Sequence, residues 1–379
     1  MREEKLSGIR GALRRTNGVA LLFSTTNALF LLLPVYLQQI GSSAAQIGLV
    51  AGLTRVSMLV ARPVAGRLLD RFGRRPVVTA GAVVATLAIL SILLFPQVGL
   101  PFLFFRVVQG AATAMVDSGL GTVVADLAPP AARTRVFALY TVWLTLPGGI
   151  MPALGEAVAR RAGFLPLFGA AAVVLIGALL VFRRLPETRP GTQEHVATSW
   201  SLGRTGPPVL VGGVIVGFVF GVSSVFVPVA PIAAAPGRVG AFFFVYFVGL
   251  FGMRLANGMG LAWLARPAIL GPAYAVMAGG LAALPLGGSA VLLVVAGLAC
   301  GMGHGTIVPI LYSLLLFGVS KERRGWAVAS LAAAFDSGMI LASMGLGLVA
   351  EWVGYRGVFW LSAGTVAAGA ATSYLLGRR

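Results

Sequence analysis

The stretch Gly66-Arg67-Leu68-Leu69-Asp70-Arg71-Phe72-Gly73-Arg74-Arg75 concentrates charge in a chain of which only 11% of the residues are charged. Long apolar segments lie on both sides of it. Because lipid tolerates irregular, charged backbone only outside the hydrocarbon core, the stretch is predicted to be a tight loop that joins two membrane-spanning helices. A generic basic loop would need neither the acid Asp70 nor the two glycines. The pattern therefore indicates a specific role for this loop.

Composition places the chain among membrane proteins. It is 58% hydrophobic with a mean hydropathy of +0.92, whereas a soluble domain is roughly half apolar and about a quarter charged. The net charge of +18 is spread over short segments between apolar stretches. That distribution favours the orientation of membrane helices over nucleic-acid binding. The first apolar stretch is too long for a signal peptide and is predicted to be a retained helix.

Segments of about 20 apolar residues are long enough to cross a bilayer. We predict twelve such spans and therefore an all-α membrane protein with two pseudo-symmetric six-helix bundles. The predicted spans are 17–38, 46–66, 76–95, 101–121, 136–158, 163–182, 208–230, 239–262, 267–286, 289–314, 325–349 and 357–376. The longest loop separates the halves and gives the predicted boundaries 1–183 for the N-terminal bundle, 184–206 for a cytoplasmic linker and 207–379 for the C-terminal bundle.

The halves resemble a diverged repeat. Arg62-Pro-Val-Ala-Gly66 aligns with Arg254-Leu-Ala-Asn-Gly258, and the Asp70 position has become Ala262. The segment from Pro129 to Arg135 similarly matches the segment from Val319 to Gly325.

Charge asymmetry predicts the orientation. With both termini in the cytoplasm, the segments on the opposite side contain few basic residues, which are Arg160, Arg161, Arg238 and Arg356. Most other loop arginines and lysines then lie on the cytoplasmic side, as the positive-inside rule requires. The protein is predicted to lie in the inner, cytoplasmic membrane. It is predicted to be a monomer that is surrounded by the lipid bilayer.

The charged decapeptide resembles the hallmark loop of the major facilitator superfamily, G-x-L-x-D-R-x-G-R-R, which joins the second and third transmembrane helices. The resemblance extends to parallel six-helix repeats over essentially the whole chain. It implies an inner conformational lock, whose residues are Gly66, Asp70, Arg71, Gly73, Arg74 and Arg75. It also implies alternating access by rocking of one bundle against the other.

Arg106-Val-Val-Gln109-Gly110 resembles the R-x-x-Q-G motif on the fourth helix of the family. At about 100° per residue, Arg106, Gly110, Thr113 and Asp117 share one helix face. The resemblance implies a role for Arg106 and Gln109 in substrate or proton handling. Either Asp117 or Asp336 is predicted to carry the proton. The alternative is that Arg106 is a structural residue that bonds to an acid or to backbone carbonyls.

Ionisable residues inside the membrane are functional candidates. Arg55 and Asp336 are each eleven residues from a predicted helix end, about 16 Å along the axis, and so lie at the same depth. The resemblance to the superfamily, in which helices two and eleven pack together, implies that they pair near the midplane. The pair acts either as a gate or proton-release switch, or as a static ion pair. His304 is a candidate for coupling because histidine titrates near neutral pH, or else bonds only to a neighbouring helix.

The fifth helix carries Pro147-Gly148-Gly149-Ile-Met151-Pro152-Ala-Leu-Gly155-Glu156. This run resembles the G-P-x-x-G-G element of drug/proton antiporters, with Met151 and Glu156 in place of two glycines. Proline and glycine permit a bend or a close seam in a helix. We therefore predict a hinge there, made by Pro147, Gly148, Gly149, Pro152 and Gly155.

The sequence lacks the H-E-x-x-H, G-x-S-x-G and Walker motifs. No enzymatic activity, metal site or cofactor is therefore predicted, and ATP does not drive the predicted transport. The prediction is a secondary active transporter that exports a small organic solute in exchange for protons. Proton-coupled uptake and facilitated diffusion remain alternatives within the same class. A transport-dead membrane sensor or a membrane-embedded enzyme is an alternative from another class.

Overall fold

The computed structural model describes residues 2–129, 132–185, 187–188, 206–258, 266–317 and 324–377. Helices account for nearly all of them, and this described part contains no strand. The all-α prediction is confirmed. A helix suits lipid because it satisfies every backbone N–H and C=O within its own segment.

The helices follow one another with short connections. In the first half they are α1 (Arg2–Leu29), α2 (Leu33–Gln39), α3 (Ala44–Phe72), α4 (Arg74–Leu94), α5 (Leu100–Leu127), α6 (Arg133–Ala162) and α7 (Phe164–Phe182). In the second half they are α8 (Gly206–Val225), α9 (Arg238–Gly258), α10 (Leu270–Ala283), α11 (Ala290–Phe317), α12 (Arg324–Ile340) and α13 (Leu346–Gly377). A 3-10 turn, Phe30–Leu32, joins α1 to α2, and a π-helical segment, Leu341–Gly345, joins α12 to α13.

Eleven helical stretches among the described residues are long and apolar enough to cross a membrane. The last, Ala327–Ala370, has 44 residues, or about 66 Å at 1.5 Å per residue, roughly twice the thickness of a hydrocarbon core. Its backbone leaves helical geometry at Gly354, where φ is 64° and ψ is 176°. The number differs from the predicted twelve because this stretch contains two helical segments that meet at Gly354.

The predicted loop at 66–75 is mostly helical. α3 continues to Phe72 and α4 begins at Arg74, so Gly73 alone makes the connection. The prediction of an irregular loop over the whole stretch was wrong. Charge requires only that these residues lie outside the hydrocarbon core, and a helix that extends beyond the lipid meets this requirement without losing its backbone hydrogen bonds.

The chain divides into two compact units. The first comprises Met1–Leu33 and Leu53–Glu194, and the second comprises Pro34–Gly52 and His195–Arg379. The second unit thus includes the end of the first span and the start of α3. The predicted boundaries at 183 and 207 follow chain order and stay a prediction. Most of the linker 184–206, the Ala262 position, and most of 319–325 lie outside the described residues.

In the first unit, α1 packs against α6 and α7, and α4 packs against α5 and α7. The core of this unit includes a stripe on α4 in which Val78, Ala82, Ala85 and Ile89 are buried. Their spacing of three and four residues places them on one helix face. Small side chains on that face allow α4 and α5 to approach closely, since association in lipid depends on packing and not on exclusion of water.

The second unit is assembled through glycine contacts. Gly301 and Gly305 lie one turn apart on α11, where it packs against α9. A Cβ at Gly301 would lie 1.9 Å from the carbonyl oxygen of Tyr246, and one at Gly305 would lie 2.5 Å from that of Leu250. Backbone therefore touches backbone along this seam, the small-residue packing typical of membrane helices.

The segment Pro34–Gly52 is held in the second unit by polar and backbone contacts. The side-chain amide of Gln38 donates to the carbonyl of Val229 at 3.0 Å. The N–H of Ala45, in the first turn of α3, donates to Oε1 of Glu351 at 2.9 Å. Carboxylates favour helix N-termini, where N–H groups lack intrahelical partners. Glu351 therefore anchors the start of α3 in this unit.

Candidate functional site

Arg74 is the centre of a polar network at the junction of α3 and α4. Its side chain is 4% exposed. Nε donates to Oδ2 of Asp126 at 3.2 Å, while Nη1 donates to the carbonyl of Leu69 at 2.9 Å and to Oδ1 of Asp70 at 3.3 Å. A guanidinium presents a rigid fork of donors that can satisfy several acceptors at once. Arg74 therefore ties the last turn of α3 to the last turn of α5.

Glu187 caps the N-terminus of α4. Its Oε1 accepts the backbone N–H of Arg74 at 2.8 Å and its Oε2 accepts that of Arg75 at 3.2 Å. The first N–H groups of a helix have no intrahelical partner and carry partial positive charge, so a carboxylate there is stabilising. The hydroxyl of Thr188 donates to Oδ2 of Asp126 at 2.8 Å. The chain after α7 is thus connected to the network at two points.

The two glycine positions of the charged stretch differ in whether the structure has room for a larger residue. Gly73 has φ of 92°, and a Cβ there would lie 2.6 Å from Oε1 of Glu187. Both the backbone conformation and the space under the cap therefore require glycine. Gly66 lies within the helix α3, and a Cβ there would meet no atom within 4 Å.

The structure brings most of the predicted lock residues together. Asp70 and Arg74 form an ion pair, and Gly73 and Arg75 take part in the cap under Glu187. Arg71 is exposed, with its guanidinium carbon 5.2 Å from the centre of the Phe72 ring. Gly66 lies apart from the network, nearly two turns before Gly73.

Sequence reasoning missed two acids of the network. Asp126 lies in the last turn of α5, and Glu187 lies beyond the end of α7. The signal that could have found them is their position in a segment assigned to the arginine-rich side of the membrane. An acid in a segment with so many arginines is a candidate partner for a buried arginine.

Arg106 is buried on α5 with neutral partners. It is 6% exposed, its Nη1 donates to the side-chain oxygen of Gln109, and its guanidinium carbon lies 5.4 Å from the centre of the Phe30 ring. Its Nε has no hydrogen-bond partner among the described residues. Gln109 is itself buried, and its backbone carbonyl accepts a hydrogen bond from the hydroxyl of Thr113 at 2.8 Å.

The glycine of the Arg106 motif is where α5 meets α3. A Cβ at Gly110 would lie 2.2 Å from the carbonyl oxygen of Thr54. Ser57, one turn further along α3, donates its hydroxyl to the carbonyl of Val107 at 2.6 Å. This contact brings Arg55 and Arg106 within range of mutual electrostatic repulsion. The sequence predicted neither their proximity nor their like-charge interaction.

Asp117 shares the predicted face of α5 with Arg106 but not its surroundings. The two residues are eleven positions apart, or about 16 Å along the helix axis. Asp117 is partly exposed, and its charge interacts with the buried Tyr140 of α6. A direct pair between Arg106 and Asp117 is therefore excluded by the length of the helix between them.

His304 lies within an aromatic cluster of the second unit. It is 8% exposed, and its Nδ1 shares a hydrogen bond of 2.8 Å with the hydroxyl of Tyr246. Its ring centre is 6.0 Å from those of Phe220 and Tyr246 and 5.7 Å from that of Phe335. The cluster joins helices α8, α9, α11 and α12. Asp336, the residue after Phe335, is buried on α12.

The predicted hinge lies in α6 without interrupting it. α6 runs through Pro147 and Pro152 as one helix of 30 residues, Arg133–Ala162. Pro147, Gly148, Gly149, Pro152 and Gly155 are all buried. A Cβ at Gly155 would lie 2.8 Å from Cδ1 of Leu32 and 3.0 Å from Cδ2 of Leu29. The element therefore provides close packing against the end of α1, as small residues do in membrane bundles.

Curated relatives of the chain are bacterial exporters and resistance proteins. The staphylopine export protein of Staphylococcus aureus is 23% identical over 364 residues, which are 90% of this chain and 90% of that protein. Multidrug resistance protein 2 of Bacillus subtilis is 26% identical over 167 residues, 44% of this chain and 42% of that protein. Among solved structures, the nucleoside transporter NupG has the same fold, with a TM-score of 0.76 and 15% identity over 97% of this chain and 99% of NupG.

The sequence profile of the Major Facilitator Superfamily matches residues 17–343, which include the Arg74 network, the Arg106 motif and the aromatic cluster around His304. The match agrees with the helical architecture, the apolar spans and the full-length likeness to NupG. The protein is therefore a multi-pass membrane transporter, not an enzyme, and the chain belongs to the Major Facilitator Superfamily.

Proposed function

We propose that this protein is a secondary active transporter that exports a small organic solute across a bacterial cytoplasmic membrane. One observation carries the direction of transport. The relative that aligns over nine tenths of both chains is an export protein. The chain would cross the membrane twelve times with both termini in the cytoplasm, with the two helical segments that meet at Gly354 counted as separate spans.

Alternating access requires two bodies that move and a contact that holds one state. The two compact units are suited to the first requirement. The Arg74 network is suited to the second, because it fixes the end of α3 against α5 and caps α4 with Glu187. The buried prolines and glycines of α6 would accommodate small changes in helix packing as the units move.

Proton coupling is proposed as the energy source. Asp117 and Asp336 are the candidate proton carriers, and Arg106 and His304 are candidates for tuning them. A carboxyl group in a membrane favours its neutral form by desolvation, whereas a nearby arginine favours its charged form. Movement of an arginine relative to one of these acids would therefore change proton affinity between the two states, which coupling requires.

Growth and accumulation assays test export directly. The gene would be expressed in a bacterial strain lacking its own exporters, and a panel of toxic organic compounds would be screened with and without an uncoupler. Export predicts greater resistance and lower accumulation of at least one compound, both abolished by the uncoupler. Greater accumulation would reverse the assignment to uptake, and no change for any compound would favour a transport-dead sensor.

Vesicles with an imposed pH gradient test proton coupling. Purified protein would be reconstituted with a compound found in the screen, and flux would be compared in wild type, Asp117→Asn and Asp336→Asn. Glu351→Gln is the matched control, because Glu351 is an exposed carboxylate that binds the N-terminus of α3. Flux that ignores the gradient in every protein would reject proton coupling and leave a facilitator.

A further inference from the structure

Two arginines of the first unit, Arg55 on α3 and Arg106 on α5, lie near each other, and in the described part of that unit neither has a carboxylate partner. Within the described residues, Arg106 bonds to the amide of Gln109 and contacts the ring of Phe30. The hydrogen bond of Arg55 is to the sulfur of Met58, at 3.9 Å. Among the residues of its own unit that the structure describes, neither arginine forms an ion pair with an acid.

Three acids of the first unit are engaged elsewhere. Asp70, Asp126 and Glu187 belong to the network around Arg74, at the far end of α3 and α5. Asp117 lies about 16 Å along α5 from Arg106. Buried charges in proteins are normally paired or bound to an ion. The two arginines at this level are therefore held together by helix packing while their charges repel one another.

The packing explains why the repulsion is tolerated. Gly110 brings the backbone of α5 against the carbonyl of Thr54, and Ser57 bonds to the carbonyl of Val107. Arg55 follows Thr54 directly, and Arg106 precedes Gly110 by one turn. The helices thus place these two arginines close to one fixed contact between α3 and α5. An arrangement that costs free energy in this way is typical of a binding site that receives the opposite charge from its ligand.

We propose that Arg55 and Arg106 of the first unit form a binding site for an organic anion, a molecule with a carboxylate or phosphate next to an apolar or aromatic group. The anion would receive charge-assisted hydrogen bonds from both arginines, including the unpaired Nε of Arg106. Phe30, whose ring is tilted by 31° against that of Phe168 with ring centres 5.2 Å apart, would contact the apolar part. This inference rests on the proposed transport function and specifies its substrate class.

Binding to the full-length protein in lipid nanodiscs tests this assignment without transport. The probes are benzoate and phenyl phosphate, with benzamide as the neutral compound of the same shape. Affinity would be measured from the concentration dependence of the thermal unfolding temperature at constant ionic strength. Wild type is expected to bind at least one anion about tenfold or more tightly than benzamide, because charge-assisted hydrogen bonds add to a shared apolar contact.

The variants assign the charge preference to the two arginines. Arg55→Gln and Arg106→Gln should each reduce the preference for the anion to less than about threefold, while benzamide binding stays within about twofold. Arg160→Gln removes an exposed arginine at the end of α6 and should leave the preference unchanged. Equal binding of both anions and benzamide to wild type, or an anion preference that survives both glutamine variants, would overturn the proposal.

Asp336→Asn tests whether an acid of the second unit neutralises the arginines. If anion preference appears only in Asp336→Asn and is absent from wild type, the arginines are internally neutralised and the proposal is wrong. If wild type shows the preference and Asp336→Asn strengthens it or leaves it unchanged, the proposal is supported. These outcomes are independent of export. A transporter that passes the accumulation test and fails this one keeps its function and loses only its substrate class.

Discussion

Arg74 and Arg106 are buried to a similar extent, at 4% and 6% exposure, yet their surroundings differ in kind. Arg74 donates to two carboxylates and a backbone carbonyl. Arg106 has a neutral amide, an aromatic ring and an Nε without a partner in the described structure. Arg74 therefore links parts of the fold, whereas the positive charge of Arg106 is only partly compensated by the groups around it. The difference separates a structural charge from one that is available to a ligand.

The largest expected effect on stability is that of Arg74→Gln. The substitution removes the ion pair with Asp126 and the bond to the carbonyl of Leu69, and should lower the free energy of unfolding by about 2–3 kcal/mol. Thermal or denaturant unfolding of the purified protein measures the change. Arg71→Gln, in the same motif but exposed, should change stability by less than about 0.5 kcal/mol. Equal effects of the two substitutions would show that the Arg74 network contributes nothing beyond surface charge.

Gly73→Ala should destabilise nearly as much, by about 2 kcal/mol, because it forces a Cβ into positive φ and against Glu187. Gly66→Ala is the matched control within the same motif. It lies in α3 with open space around it, and alanine should raise helix stability by about 0.5–1 kcal/mol. Unfolding measurements on both variants decide the question. Similar losses of stability in both variants would mean that glycine is required at position 66 in a different conformational state of the protein.

The next largest free-energy effect concerns the predicted pair of Arg55 and Asp336. If the predicted pair forms, a double-mutant cycle with Arg55→Gln and Asp336→Asn gives a coupling free energy of about 1–2 kcal/mol, since each single change then leaves one charge uncompensated in the membrane, and Arg55 is not available to an anion. Unfolding and transport of all four proteins would be compared. Strictly additive effects would show that the residues are not partners and would leave Arg55 to the anion site alone.

Arg106→Gln should leave stability unchanged or raise it by up to about 1 kcal/mol, the opposite sign from Arg74→Gln. Glutamine keeps a hydrogen bond to Gln109 and removes a buried charge that has no carboxylate partner among the described residues of its unit. Transport should nevertheless fall at least tenfold. A clear loss of stability would place Arg106 with Arg74 among structural residues, and the comparison between them would fail.

The smallest effect on stability is expected for Asp70→Asn, less than about 0.5 kcal/mol. Its side chain is 62% exposed, and exposed ion pairs contribute little. Asp126→Asn should cost more, because Asp126 accepts from both Arg74 and Thr188. If the network acts as a lock, Asp70→Asn should still reduce transport strongly while insertion into the membrane stays normal. Unchanged transport in this variant would argue against the lock.

The sequence by itself determined the class of the fold and the places where charge had to leave the membrane. Apolar segments of bilayer length are local in the chain, and a helix is the only way for such a segment to satisfy its backbone alone. The same local information identified Asp70, Gly73 and Arg74. The charged motif at 66–75 indicated the family, since the order and spacing of its residues are properties of the sequence.

The tertiary structure decided which of these residues meet. Asp126 and Glu187 are distant from Arg74 in sequence, and only the packing of α5 and the return of the chain after α7 bring them to it. Likewise, the contact of α3 and α5 at Gly110 places Arg55 beside Arg106 and leaves Asp117 far along the helix. Partners of a charge depend on how helices cross, and helix periodicity within one segment contains no information about its neighbour.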